Sequence, residues 1–367
     1  DFLTPESGGW QLQTNLQTLL NGRTITDMTF LDSLTGFAVT SNLTPGDSGY
    51  IFKTTNGGNN WFVNFMPSKY FSKIVFATDS IGYACGGSGG GTGYFCKTTN
   101  RGVSWTGNVC GWAALFYGIS VLNKDIVYFS DDNALVGGVF RSTNGGTNWQ
   151  RIYNAGQYNP QNIYMINGMT GFYSQGNTYK TTDGGFSWTY LDDMGIYYMK
   201  FLDSLNGYRI ANNGDIQKTT NTGINWTTLL LPNVPGAYTN KHILSLSFIG
   251  RDTIWAAGGT LEYLNPYRKF ASLYKTTNGG LNWGYQLPDT SAIHILRYYF
   301  VDFKNKNNGW AYYSLGLGIH TTVGGDSTIY VGVRQISSKT PERYSLEQNY
   351  PNPFNSISKI KYQISKF

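Results

Sequence analysis

The residues able to do chemistry in this chain are few and scattered. Cys85, Cys96 and Cys110 show neither the Cys-x-x-Cys spacing nor the Cys/His pairing that tetrahedral zinc requires, so no metal site and no cofactor is expected. Cys85 and Cys96 flank the glycine-rich stretch 86–93, which reads as the tip of a hairpin. A disulfide between them, across two antiparallel strands, is the expected pairing; a Cys96–Cys110 bridge and three buried thiols are the alternatives. His242 and His294 stand in matching His-Ile-Leu sequences with Arg297 close by. Two histidines do not make a metal site. With Arg297 they could receive an anionic group, and solvated loop histidines are the plainer reading. Glutamate occurs at Glu6, Glu262, Glu342 and Glu347 alone. Hydrolysis by paired carboxylates needs an acid and a base or nucleophile converging on one bond, and no such pair stands out.

The elements that must position these residues follow from composition. Of 367 residues only 13% are charged, about half the usual share, while 16% are aromatic and 46 are glycine. Coiled coils and charged disordered tails are excluded. No apolar run approaches the roughly 20 residues of a membrane helix, so no transmembrane segment is expected. The formal charge of +6, from 27 basic and 21 acidic residues, is dispersed rather than clustered, which argues against nucleic acid as a partner. The chain opens at Asp1 with no charged-then-apolar leader, as after removal of a signal peptide, and an oxidising compartment is the expected location.

One pattern recurs: a basic residue, two Ser/Thr, Asn or Asp, a glycine-rich pair, two variable residues and Trp. The Asn/Asp and Trp of its six copies are Asn56 and Trp61, Asn100 and Trp105, Asn144 and Trp149, Asp183 and Trp188, Asn221 and Trp226, and Asn278 and Trp283. A seventh, from His320 to Gly325, lacks both. Intervals of 38 to 57 residues between these tryptophans match a four-stranded unit and predict an all-β, seven-bladed propeller. Blade 1 reads as strands 25–30, 36–40, 50–55 and 61–65, and blade 2 as 71–76, 82–85, 94–99 and 105–110. The last blade takes its outer strand from the N-terminus, because Ser7-Gly8-Gly9-Trp10 is the end of the very motif it lacks. Residues 1–15 are thus the closing strand, 16–335 the propeller, 336–343 a linker and 344–367 a separate piece.

The Asn/Asp turn resembles the Asp-box of sialidase-like propellers, and the blades are similar to those of single-ring propellers related to photosystem II assembly factors. The resemblance spans Trp10 to about Val333 and implies the fold. An Asn or Asp side chain accepts from backbone N–H groups just ahead of it, glycine supplies φ > 0 and the indole wedges between blades, so the motif is read as structural. Five of the six copies carry Asn, a poor calcium ligand set. Asp32, Asp79 and Asp203 recur between the first and second strands and are read as turn residues. A sialidase also needs an arginine cluster and a Tyr/Glu pair, which cannot be assembled here, so no enzyme activity is expected.

In a four-stranded meander the first-to-second and third-to-fourth turns share one face of the disc. The long segments 41–50, 86–93, 110–117, 153–161, 231–242, 258–271 and 287–296 fall on the other. Variable loops on a rigid scaffold make binding surfaces, and these carry many rings. The candidate face comprises Trp112, Tyr117, Tyr158, Tyr238, His242, Tyr263, Tyr267, Arg268, His294 and Arg297, with Phe116 and Tyr153 in the same loops, and would suit a protein or glycan partner.

After the repeat, residues 344–355 contain Gln348, Asn349, Tyr350, Pro351, Asn352, Pro353 and Phe354 and are followed by an alternating strand from 357 to 362. This segment resembles the start of the C-terminal sorting domain of type IX secretion cargo, a small immunoglobulin-like sandwich. The resemblance implies Sec export, engagement of the type IX machinery, and an extracellular or cell-surface location. The expected protein is a secreted, non-catalytic binding or structural module. A glycan-binding or sialidase-like hydrolase, and an assembly factor holding another protein, are the alternatives.

Overall fold

The computed structural model describes residues 9–41, 48–65, 69–88, 92–110, 113, 115–131, 137–156, 162–265, 267–288, 295–331, 345–346 and 362–363. The chain divides into two compact units, Asp1–Tyr330 and Val331–Phe367.

The first unit is a seven-bladed propeller of antiparallel sheets. The innermost strands of blades 1 to 7 are Ile25–Phe30, Tyr70–Phe76, Phe116–Val121, Asn162–Met165, Ile196–Phe201, Ser245–Ile249 and Phe300–Phe303. Each is followed outward by the next strand in sequence. Second strands such as Gly36–Thr40, Val127–Asp131 and Gly207–Ala211 are buried at every position, because a neighbouring blade covers each face. The core is therefore a series of slabs between blades. One slab joins Phe37, Val39 and Ile51 of blade 1 to Phe71, Ala84, Cys96 and Trp105 of blade 2.

The ring closes as the motif predicts. Gln11–Gln13 pairs with Gly318–Thr321 as the outer strand of blade 7, in the register Gln11 opposite His320 and Gln13 opposite Gly318. Trp10 meets Trp255 of blade 6 and Phe303 of blade 7 edge-on, with centroids 6.1 and 5.9 Å apart. Gly9 N–H donates to Asp326 Oδ1 at 2.8 Å. Closure in this way leaves no sheet edge between the two ends of the ring. A helix not anticipated from sequence, Asn15–Leu20, follows the closing strand, burying Leu16 and Leu20 while Asn15 Oδ1 accepts from Trp61 N–H at 2.6 Å.

The register of blade 2 overturns the expected disulfide. Ala84 lies opposite Cys96, and Cys85 lies opposite Phe95. Side chains alternate across a strand, so the two sulfurs point to opposite faces. Cys96 is buried between blades 1 and 2 and Cys85 between blades 2 and 3. All three cysteines are free and buried, and burial pushes each thiol up, Cys110 to about 12.

In the second unit the described residues form a two-stranded antiparallel pair, Ser345 opposite Gln363 and Leu346 opposite Tyr362. The motif Gln348–Phe354 lies outside the described residues.

Candidate binding surface

The repeated turns are engaged within the fold. In blade 1 the Thr54 hydroxyl donates to Asn56 Oδ1 at 3.1 Å and accepts from Gly58 N–H, while the same Oδ1 accepts from Asn60 N–H. Asn100, Asn144, Asp183, Asn221 and Asn278 accept from the fourth residue on in the same way. The tryptophans fill the seams: Trp105 packs on Phe37 and Phe76, Trp149 on Phe95 and Phe129, Trp188 on Tyr153 and Tyr173, and Trp226 on Phe172 and Phe201. Trp61 contacts Phe30, and Trp283 is buried in blade 6.

The basic residue that opens each motif, whose role the sequence did not disclose, joins blades as well. Lys53, Lys97, Lys180 and Lys218 lie over a second-strand ring of their own blade and donate to a carbonyl in the turn of the next, those of Arg101, Gly145, Thr222 and Gly279. In blade 7 His320 takes this position and stacks on Trp310 at 4.8 Å. There Trp310 Nε1 and Gln13 Nε2 supply the donors to the Gly57 carbonyl, at 2.8 and 2.9 Å.

Between first and second strands Asp32 and Asp203 each accept two backbone N–H groups. In blade 2 the Thr78 hydroxyl, rather than Asp79, takes this part.

On the opposite face blade 6 departs from the others. Its second strand, Thr253–Leu264, runs for 12 residues, and its third, Tyr267–Thr276, for ten. The two stay paired out to Leu264 and Tyr267, so segment 258–271 is an extended sheet rather than an irregular loop. Tyr238–Asn240 adds a strand to this outer half, opposite Thr260–Glu262. Gly258, with φ +131°, makes the step in register possible, since a Cβ there would lie 2.6 Å from His242 O and Leu244 N. A Lys269–Glu262 ion pair of 2.5 Å crosses the extension, and Tyr263 meets Phe270 edge-on at 6.0 Å. Tyr238, Leu264 and Tyr267 are 66%, 78% and 65% exposed at its end, beside Arg268.

Tyr238, His242 and Arg297 come together around a pocket of about 410 Å³ that Asn213, Asp215 and Lys241 also line. Lys241 Nζ is committed to the Leu231 carbonyl at 2.7 Å. Trp112, Tyr158 and His294 lie outside the described residues. Three rings assigned to loops sit elsewhere. Phe116 is fully buried, stacked on Phe129 at 4.5 Å, and Tyr153 packs in the seam with Tyr173. Tyr117 is the extra residue of a bulge in the inner strand of blade 3, where the register skips from Phe116 to Gly118. Thr26, Ser72 and Tyr197 occupy matching bulges in blades 1, 2 and 5, and all four line a central channel of about 1120 Å³. A bulge re-aims a side chain and carries no sequence mark, which is why these channel-lining residues were missed.

Inside the channel two carboxylates rivet the ring. Asp27 Oδ2 accepts from Ile74 N–H of blade 2 at 2.9 Å, and Asp302 Oδ2 from Phe30 N–H of blade 1 at 2.8 Å. Ser120, Tyr164 and Ser247 do likewise for Met165, Phe201 and Phe303 of the blade that follows each. Enclosure within the ring raises the Asp27 pKa, although nearby Lys73 opposes the shift.

No protein-family model matches the chain, and no curated protein matches it. Solved structures do match in fold. A YCF48 structure with a bound D1 peptide has a TM-score of 0.60 at 17% identity, covering 88% of this chain and all of that one. The GH74 enzyme of Niastella koreensis has a TM-score of 0.62 at 16% identity, covering 89% of this chain and 54% of that one. The WD40 propeller of Doa1 has a TM-score of 0.57 at 10% identity, with 85% and 96% covered.

Proposed function

We propose that this protein is a secreted, non-catalytic propeller that binds a protein partner through the face bearing the blade 6 extension, and that its C-terminal segment directs it through type IX secretion to the cell surface or medium. The observation that carries the binding reading is the three-stranded extension itself. It projects Tyr238, Leu264, Tyr267 and Arg268 from a rigid sheet, and exposed aromatic and arginine side chains on a rigid support are the composition of interaction hot spots. That YCF48 holds a peptide on a similar ring is in keeping with it. The non-catalytic reading draws support from the channel lining, where Asp302 is engaged by both Lys304 and a seam N–H and, among the described residues, no arginine or glutamate stands with Asp27. The export reading rests on the residues from Gln348 to Phe354.

A photo-crosslinking residue placed at Tyr267 on living cells tests the surface, with one at Ile224, on the opposite face, as control. A discrete crosslinked protein at position 267 and none at 224 is the expected result. Equal labelling, or turnover of a glycan by the purified chain, would defeat it. Replacing residues 349–354 by alanine should trap the protein inside the outer membrane, and unaltered export would remove the type IX reading while leaving the surface untouched.

A further inference from the structure

The far end of the channel, where the first-to-second turns begin, carries an ammonium group that no carboxylate of the fold meets. The inner strand of blade 5 brings Lys200 to the channel wall, and the inner strand of blade 7 runs directly into Lys304 at the same end. Lys304 Nζ lies 2.9 Å from Asp302 Oδ1. The second oxygen of that carboxylate is occupied by Phe30 N–H, so Asp302 is spent on Lys304 and on the seam. Asp27, nearer the other end, lies within the field of Lys73. Among the described residues the channel therefore holds Lys73, Lys200 and Lys304 against Asp27 and Asp302, and Lys200 has no carboxylate partner.

Ammonium groups that line one end of a channel repel, and walls of low dielectric concentrate the field they make. Desolvation by the surrounding channel wall and the charge of Lys304 together hold the Lys200 pKa down, although the side chain stays open to solvent in the lumen. An anion set between the two amines would relieve the repulsion, and the channel is on the scale of pockets that enclose small organic molecules. We propose that the Lys200–Lys304 end of the channel binds a small anionic molecule, whose carboxylate or phosphoryl oxygens bridge the two ammonium groups. This site lies apart from the blade 6 extension and does not depend on the partner proposed for it.

Titration calorimetry of the whole chain at pH 7 and low salt, with citrate and with inorganic phosphate, tests the site. Saturable binding of one of the two is expected, and the tighter one identifies the acid as carboxylate or phosphoryl. Lys200→Met and Lys304→Met should each weaken it by about tenfold or more, and Lys200→Arg by no more than about threefold, as loss of one charge-assisted contact implies. A parallel measurement uses the unaltered protein: acylation of Lys200, followed by mass spectrometry, should slow when the anion is present, while that of Lys306, exposed on the adjoining turn, should not change. Absence of binding by either anion, equal binding by Lys200→Met, or no protection of Lys200 would each overturn the proposal.

Discussion

The Arg209 guanidinium of blade 5 clasps the Asp192 carboxylate of blade 4 with two hydrogen bonds, Nη1 to Oδ1 at 3.2 Å and Nη2 to Oδ2 at 2.8 Å. Its Nε donates to Gln217 Oε1 at 2.7 Å, and the group lies 4.7 Å over the Trp226 ring. The two partners differ in exposure, 2% for the arginine side chain and 29% for the aspartate.

That difference predicts unequal costs. Asp192→Ala strands a buried guanidinium and should destabilise by about 3–5 kcal/mol, as breaking a buried pair does. Arg209→Met leaves a carboxylate that water can reach and an apolar chain over Trp226, and should cost less. Urea unfolding of the two variants measures both, and equal losses would mean that the exposure of Asp192 is immaterial.

Closure of the ring predicts that Trp10 matters as much as any tryptophan inside the repeat. Trp10→Ala removes the plate between Trp255 and Phe303 and should cost about 3–5 kcal/mol. It should also open the N-terminal strand to protease before the remaining blades are cut. Cleavage at the same rate as the parent would show that the strand is held without it.

The turn at Asp183 predicts near-neutrality for a change of charge. Hydrogen bonds from Ser187 hold the Asp183 pKa down to about 2. A depressed carboxylate contributes stability that is present above its unfolded pKa of 3.8 and is lost as pH falls toward 2. Asn100 shows how an amide serves instead, donating from Nδ2 to Ser104 Oγ at 2.9 Å. Asp183→Asn should therefore lie within about 0.5 kcal/mol of the parent at pH 7 and flatten the acid limb of the stability curve. A larger loss at pH 7 would show that the charge itself is needed.

Alkali should destabilise the fold. Burial raises both Cys110 and Tyr83 to about 12, from 9.0 and 10.0 in the unfolded chain. The folded state keeps protons that the unfolded state releases, so stability is undiminished below pH 9 and falls as pH climbs from 9 to 12. The slope is about 1.4 kcal/mol per pH unit for each proton retained. Chemical unfolding across that range, with a thiol reagent that is inert on the native protein and finds three thiols after denaturation, checks the cause. A reductant-dependent midpoint would instead point to a disulfide.

The ring was legible in the amino-acid order alone. Turn chemistry is local, so the recurring Asn/Asp-Gly turns and their tryptophans marked each blade, and the leftover Gly9-Trp10 matched the incomplete seventh motif before any pairing was known. Blade 1 strands fell within a residue or so of their predicted ends for the same reason. What lies across a seam was decided only in three dimensions. Whether Cys85 and Cys96 face each other depends on a single residue of register, and one step turns a side chain to the other slab. The bulges that turn Tyr117 and Tyr197 to the channel, the paired extension at 258–271 and the sharing of one channel wall by Lys200 and Lys304 depend on residues far apart in the chain. Their positions are set by how blades pack, and no periodicity within one blade records which neighbour it will meet.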